Sequence, residues 1–299
     1  MKLLLAAALV AANPLVLPAT ATAQDGAETI APTRFSVEVV GEGPDVILIP
    51  GLLSPREVWD AQVEALKEQY RFHLVEVAGF GDTPAGPNAE SEILPNLVAE
   101  LADYIDRAEL QSPAIIGHSM GGFTGLILSL DHPDKVGKLM IVDSLPFFSV
   151  LMGAQTPEAA EPQAAQMRDM MVANADAQMP APDCSSPSMQ AQGMSLSPEG
   201  ACKVDLYTAK ANRAVGGQLM YEIMTTDVRP RLAAASVPTT MLFPFAEPYP
   251  SQHMATRLYT EQYADHPAID LVPVENSRHF IMFDRRELFT ETVAKFLAP

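Results

Sequence analysis

Six consecutive residues, Gly117-His118-Ser119-Met120-Gly121-Gly122, combine a hydroxyl nucleophile with the small residues that a sharp turn requires. An apolar run, Ala114-Ile115-Ile116, precedes them, and a second apolar run occupies residues 123–128. The pattern predicts a strand, a tight turn and a helix, with Ser119 at the apex. A G-x-S-x-G turn holds its serine in a strained backbone conformation and lifts Oγ above the strand ends. The chemistry such a serine serves is attack on a carbonyl carbon. A hydroxyl is a weak nucleophile, so a base must come within hydrogen-bond reach. The plain alternative is a glycine-rich helix start with an incidental serine.

The base on offer is His279, in Asn276-Ser277-Arg278-His279-Phe280, between the last strand pattern and the last helical one. Serine first and histidine last is the chain order expected when the nucleophile sits on such a turn. Two carboxylates compete to hold the imidazole in its productive tautomer. Asp143 closes the strand pattern at residues 138–142, and Glu247 follows the one at residues 239–243. The other histidines lack metal-ligand spacing, so neither a metal nor another cofactor is expected.

Something must bring these distant groups together. Strand patterns at residues 34–40, 46–49, 72–77, 114–116, 138–142, 239–243 and 269–274 alternate with helical spacing at 55–70, 93–108, 123–130, 254–264 and 286–297. That alternation predicts the α/β class, with a mostly parallel, doubly wound sheet and right-handed crossovers. Reacting groups then collect at the carboxyl ends of the strands. Residues 146–235 break the alternation. They are rich in Met, Ala, Gln and Pro and read as a helical cap over the strand ends, inserted between core segments 24–145 and 236–299.

The chain has 299 residues, 48% of them hydrophobic, enough for one large core. Its formal net charge of -18 repels nucleic acid and anionic headgroups, so neither is an expected partner. Met1-Lys2, an apolar run at residues 3–12 and Ala21-Thr22-Ala23 read as a signal peptide over residues 1–23. The run is too short to span a bilayer. An exported protein, periplasmic or secreted, is expected. In an oxidising compartment Cys184 and Cys202 are expected to pair, stiffening a local loop by about 3 kcal/mol.

Three further motifs carry a family resemblance. Pro50-Gly51-Leu52-Leu53 resembles an oxyanion loop, with Pro50 where histidine is usual. Gly79-Phe80-Gly81-Asp82-Thr83 resembles the glycine loop after a core strand, and Asp131-His132-Pro133-Asp134-Lys135-Val136 the turn behind the serine helix. With the serine turn, they make the chain resemble the α/β-hydrolase fold superfamily, in its branch with a helical cap, over about residues 34–145 and 236–299. The resemblance implies a triad of Ser119, His279 and one acid. Most relatives carry that acid where Glu247 stands, and some where Asp143 stands; on that resemblance Asp143 is the preferred acid and Glu247 the alternative. It also implies an oxyanion hole from the backbone N–H groups of Leu52 and Met120. Leu53, His118, Phe147 and Phe148 are the candidate pocket walls. The activity implied is hydrolysis of a carboxylic ester or lactone with an apolar acyl group, a small-molecule substrate. Amide, carbon–carbon and perhydrolysis chemistry could use the same groups, and a non-catalytic binding protein on this scaffold is the rival of a different class. The sequence carries no signal of oligomeric state.

Overall fold

Short apolar runs bounded by turn residues become the strands. The structure is a computed structural model that describes residues 32–90, 92–175 and 181–299; the expected signal peptide lies outside the described residues. Among these, seven strands form one sheet: β1 (Phe35–Val40), β2 (Asp45–Ile49), β3 (Arg71–Val77), β4 (Ala114–His118), β5 (Lys138–Val142), β6 (Thr239–Phe245) and β7 (Ile269–Glu275). Their spatial order is β1-β3-β2-β4-β5-β6-β7. Only β1 runs antiparallel to its neighbour; the other pairs are parallel. The central strands β2, β4 and β5 read as unbroken apolar runs because both faces of the sheet are covered.

The covering helices are α1 (Asp60–Leu66), α2 (Ile93–Arg107), α3 (Met120–Asp131), α4 (Pro157–Ala173), α5 (Met189–Met194), α6 (Pro198–Lys210), α7 (Arg213–Thr225), α8 (Gln252–Gln262), α9 (Ile281–Asp284) and α10 (Arg286–Leu297). Alternate strand residues feed two apolar layers. Ile47, Ile49 and Ile115 meet α2 and α3 on one face. Val46, Leu48 and Ile116 meet Trp59 and Phe289 on the other. The helix behind the serine is apolar all round, and residues Met120 to Ser129 are buried without a break. The single helix expected at residues 55–70 is instead a 3-10 turn, Arg56–Trp59, running into α1. Buried Trp59 stacks there on Phe289 of α10.

Between β5 and β6 lies an inserted helical cap of α4 to α7, with no strand among its described residues. Thr156, Ser188, Ser197 and Asn212 each cap one helix through a side-chain oxygen. Two carboxylates tie the cap down. Glu222 of α7 accepts from the free N–H groups of Ile93 and Leu94 at the start of α2, at 2.9 and 2.6 Å. Asp284 of α9 accepts from Ser195 Oγ and from the N–H groups of Leu196 and Ser197. Cys184 and Cys202 are joined as a disulfide with Cα atoms 4.9 Å apart; Cys202 lies on α6 rather than in the loop expected for it. Among the described residues no helix is long and apolar enough to cross a membrane.

Candidate active site

The turn between β4 and α3 holds Ser119 at φ 52° and ψ -118°, a conformation that only a constrained setting imposes on a serine. Two features impose it. Ser119 N–H donates to the Val142 carbonyl at 2.9 Å. Gly121 lets α3 begin against the end of β2, since a Cβ there would strike the carbonyl oxygens of Ile49 and Pro50. The helix start leaves the Met120 N–H without an intrahelical acceptor, at the positive end of the helix dipole. The loop after β2 closes through a Ser54 N–H to Gly51 carbonyl bond of 3.1 Å. Within it Leu52 N–H, like that of Met120, has no backbone acceptor among the described residues.

Strand register brings Asp143 alongside Ser119. His118 of β4 pairs with Val142 of β5, so the next residues, Ser119 and Asp143, leave the sheet side by side. Asp143 adopts φ 50°, and its N–H donates to the Leu242 carbonyl at 2.8 Å. His279 follows β7 and precedes α9. Its Nδ1–H donates to Asp143 Oδ2 at 2.7 Å, which leaves Nε2 as the free proton acceptor. The two side chains are 25% and 11% exposed. Glu247 lies elsewhere. It is exposed, and its Oε1 accepts from the Gln252 N–H at the start of α8, at 3.1 Å.

His118 sits fully buried against His279, ring centroids 4.5 Å apart. Its Nε2–H donates to the His279 carbonyl at 2.9 Å, so the residue before Ser119 grips the backbone of the histidine loop. Burial, and then the neighbouring His279, hold the His118 pKa well below the ordinary 6.5, so this ring is neutral. Its Nδ1 has no partner and faces Gly51.

Ser119, His279 and Asp143 line one cavity of about 810 Å³ between core and cap. No direct hydrogen bond joins the Ser119 hydroxyl to His279 among the described residues, a spacing that substrate binding commonly tightens. Leu52, Leu53, Met120, His118 and Phe148 are also in its wall. Phe147, expected there, is not. It is fully buried, with the Arg229 guanidinium 4.6 Å above its ring. Phe147 has an extended backbone, and side chains of successive residues in such a stretch point opposite ways. Only one of the two phenylalanines can therefore face the cavity. The cap supplies Met194, Val204, Met220 and Ile223.

Two tyrosines at the site escaped the sequence reading. Tyr259 of α8 donates its hydroxyl to Asp143 Oδ1. Tyr263, one turn on, donates to the Ser144 carbonyl at 3.0 Å. Burial first and Asp143 second push both phenols well above the usual tyrosine range, so each stays a donor. The only sequence signal was their i, i+4 spacing in a helical stretch, which reads as ordinary core.

Residues 44–227 match the family described as alpha/beta hydrolase fold. The chain is similar to the pimeloyl-[acyl-carrier protein] methyl ester esterase of Aeromonas hydrophila subsp. hydrophila, with 37% identity over 113 residues, 38% of this chain and 42% of that protein. The match thus spans less than half the length of that curated relative. Among solved structures, the enol-lactonase from Burkholderia xenovorans LB400 superposes with a TM-score of 0.67 at 19% identity, covering 88% of this chain and 96% of that one. A thermophilic esterase from Thermogutta terrifontis gives 0.70 at 18% identity, covering 88% and 92%. At these identities the likeness to the solved structures is one of fold.

Proposed function

The chain belongs to the alpha/beta hydrolase fold family, and on that premise we propose that it is a serine hydrolase cleaving a carboxylic ester or lactone with an apolar acyl group. The observation that carries the proposal is the 2.7 Å bond from His279 Nδ1–H to Asp143, made in the cavity that Ser119 also lines.

In this scheme His279 Nε2 takes the Ser119 hydroxyl proton as Oγ bonds to the carbonyl carbon. Asp143 keeps Nδ1 protonated and stabilises the imidazolium without itself accepting the proton. The carbonyl oxygen becomes an oxyanion held by the N–H groups of Leu52 and Met120. Each such donor is worth about 3 kcal/mol at the transition state. The tetrahedral intermediate collapses by breaking the acyl–oxygen bond, and His279 returns the proton to the leaving alkoxide. Water, deprotonated by the same imidazole, then frees the acid from Ser119. Each step uses only protein groups and water.

The substrate class follows from the walls. Leu53, Phe148, Met194, Val204, Met220 and Ile223 offer apolar surface, and thioethers adapt to varied shapes. Of the cationic residues in the lining, Arg257 is largely exposed beside Glu261 at 3.6 Å, and Arg278 donates to the Gln192 carbonyl at 2.5 Å. A neutral acyl chain suits such a cavity better than a charged one. The sequence relative named for a methyl ester supports an ester as the bond cleaved.

The test is a panel of p-nitrophenyl esters of graded chain length, lactones and amides, run on the wild type and on Ser119→Ala. Turnover should vanish in the variant with its fold intact, and a fluorophosphonate should label the wild type at Ser119 in one-to-one stoichiometry. Turnover surviving the substitution would sink the proposal. Ligand binding without labelling would favour the non-catalytic reading.

We also infer export to the periplasm or beyond. The Cys184–Cys202 disulfide supports it, as does the apolar leader with its small-residue cleavage site. Sequencing the N-terminus of the native protein should begin at Gln24; recovery of intact chain from a reducing cytosol would refute this.

A further inference from the structure

We infer that Tyr259, supported by Tyr263, is a positioning residue that holds the Asp143 carboxylate for His279. The inference rests on the serine-hydrolase reading above. It concerns how an acid at the end of β5 is made effective when the loop after β6 turns its own carboxylate, Glu247, outward.

Asp143 needs outside support. It leaves the sheet at φ 50°, a turn that releases its carboxylate from the strand, so its aim depends on what holds its oxygens. α8 supplies that support. Residues four apart on a helix share one face, so Tyr259 and Tyr263 reach the same turn together. Tyr259 holds the carboxylate at Oδ1, and Tyr263 holds the next carbonyl, that of Ser144. Phe243 of β6 stacks on the Tyr259 ring, with centroids 4.7 Å apart and planes at 22°, so the phenol has no room to swing away.

The division of labour is complete at the carboxylate. Oδ2 takes the His279 Nδ1–H and Oδ1 takes the Tyr259 hydroxyl. The titratable groups around the pair are His279, His118 behind it, Tyr259 and Tyr263. No lysine or arginine bonds to Asp143 among the described residues. That choice of donor matters chemically. A guanidinium would anchor the carboxylate equally well, but its charge would cancel the field that stabilises the imidazolium. A phenol fixes the oxygen and leaves the negative charge in place.

The experiment is Tyr259→Phe, which keeps the ring and its stacking on Phe243 and removes one donor. We expect kcat to fall about tenfold, the scale of a hydrogen bond to a charged group, with KM near the wild-type value. In the Asp143→Asn background the same substitution should have no further effect on kcat, since the phenol acts through the carboxylate. A structural role alone would give additive losses, and that result overturns the inference, as does a Tyr259→Phe enzyme with wild-type kcat. If Tyr259→Phe does not fold, Tyr263→Phe carries the test. Its kcat should fall with KM unchanged, and wild-type kcat there would overturn the inference too. Turnover surviving Ser119→Ala would instead remove the hydrolase reading on which this one stands.

Discussion

Replacing Asp143 by Asn tests the heart of the site and sets the two candidate acids against each other. The carboxylate meets His279 at 2.7 Å with side chains only 11% and 25% exposed, so solvent screens the pair weakly. At an effective dielectric of about 20 and charge centres about 4 Å apart, the attraction felt by the imidazolium is worth about 4 kcal/mol. At 1.36 kcal/mol per decade, its loss slows the acylation step by about three decades. Asn adds a second penalty if its amide turns toward Nδ1, because it then favours the wrong tautomer. The expected drop in kcat is therefore about 10³- to 10⁴-fold. Glu247→Gln should stay within about twofold, because that side chain is exposed and engages only the Gln252 N–H. Steady-state kinetics on a p-nitrophenyl ester, with circular dichroism to show that both variants are folded, decide the matter. A loss under tenfold for Asp143→Asn, or a large loss for Glu247→Gln, would refute the reasoning.

Three further outcomes concern stability. Gly121→Ala drives a methyl group into the backbone carbonyl oxygens of Ile49, at the end of β2, and of Pro50, the residue after it; a loss of about 3 kcal/mol is expected, and an unchanged urea midpoint would contradict it. Breaking the disulfide with Cys184→Ser and Cys202→Ser together releases a loop of sequence separation 18, so thermal unfolding should show about 3 kcal/mol lost; a shift of a few tenths would mean that the cap is held by its other ties. His118 is buried neutral with its pKa pushed well below 6.5 by burial first, and His266 is lowered in the same direction, again by burial. Below pH 6.5 the unfolded chain therefore binds protons that the folded chain refuses, and stability falls as the pH drops toward the depressed folded values. Urea unfolding at pH 7.5 and 5.5 should show this loss in the wild type and a smaller one in His118→Gln; equal losses would assign the effect to other groups.

The nucleophile turn was readable from residue order because its geometry is local. Gly117 and Gly121 flank the serine within one turn of chain, and the apolar runs on either side state strand and helix directly. The alternation of strands and helices was equally legible, since each period depends on neighbours a few residues away. His279 could be singled out by its place between the last strand and the last helix. Even so, the helical spacing at residues 55–70 does not reveal the 3-10 segment at Arg56–Trp59, where Trp59 seats against Phe289 of α10.

What residue order alone determined, then, was a sheet of mostly parallel strands, a serine at a strained turn and an imidazole at the far end of the chain. Which carboxylate meets that imidazole was decided by tertiary structure. Asp143 and His279 are 136 residues apart, and only the pairing of β4 with β5, in a register that opposes His118 to Val142, sets Asp143 beside Ser119. The same holds for Phe148 facing the cavity while Phe147 packs beneath Arg229, and for Tyr259 reaching the carboxylate from α8. These are contacts through space between elements whose spacing along the chain says nothing of their distance. They follow from strand order and helix packing, and no local pattern of residue types encodes them.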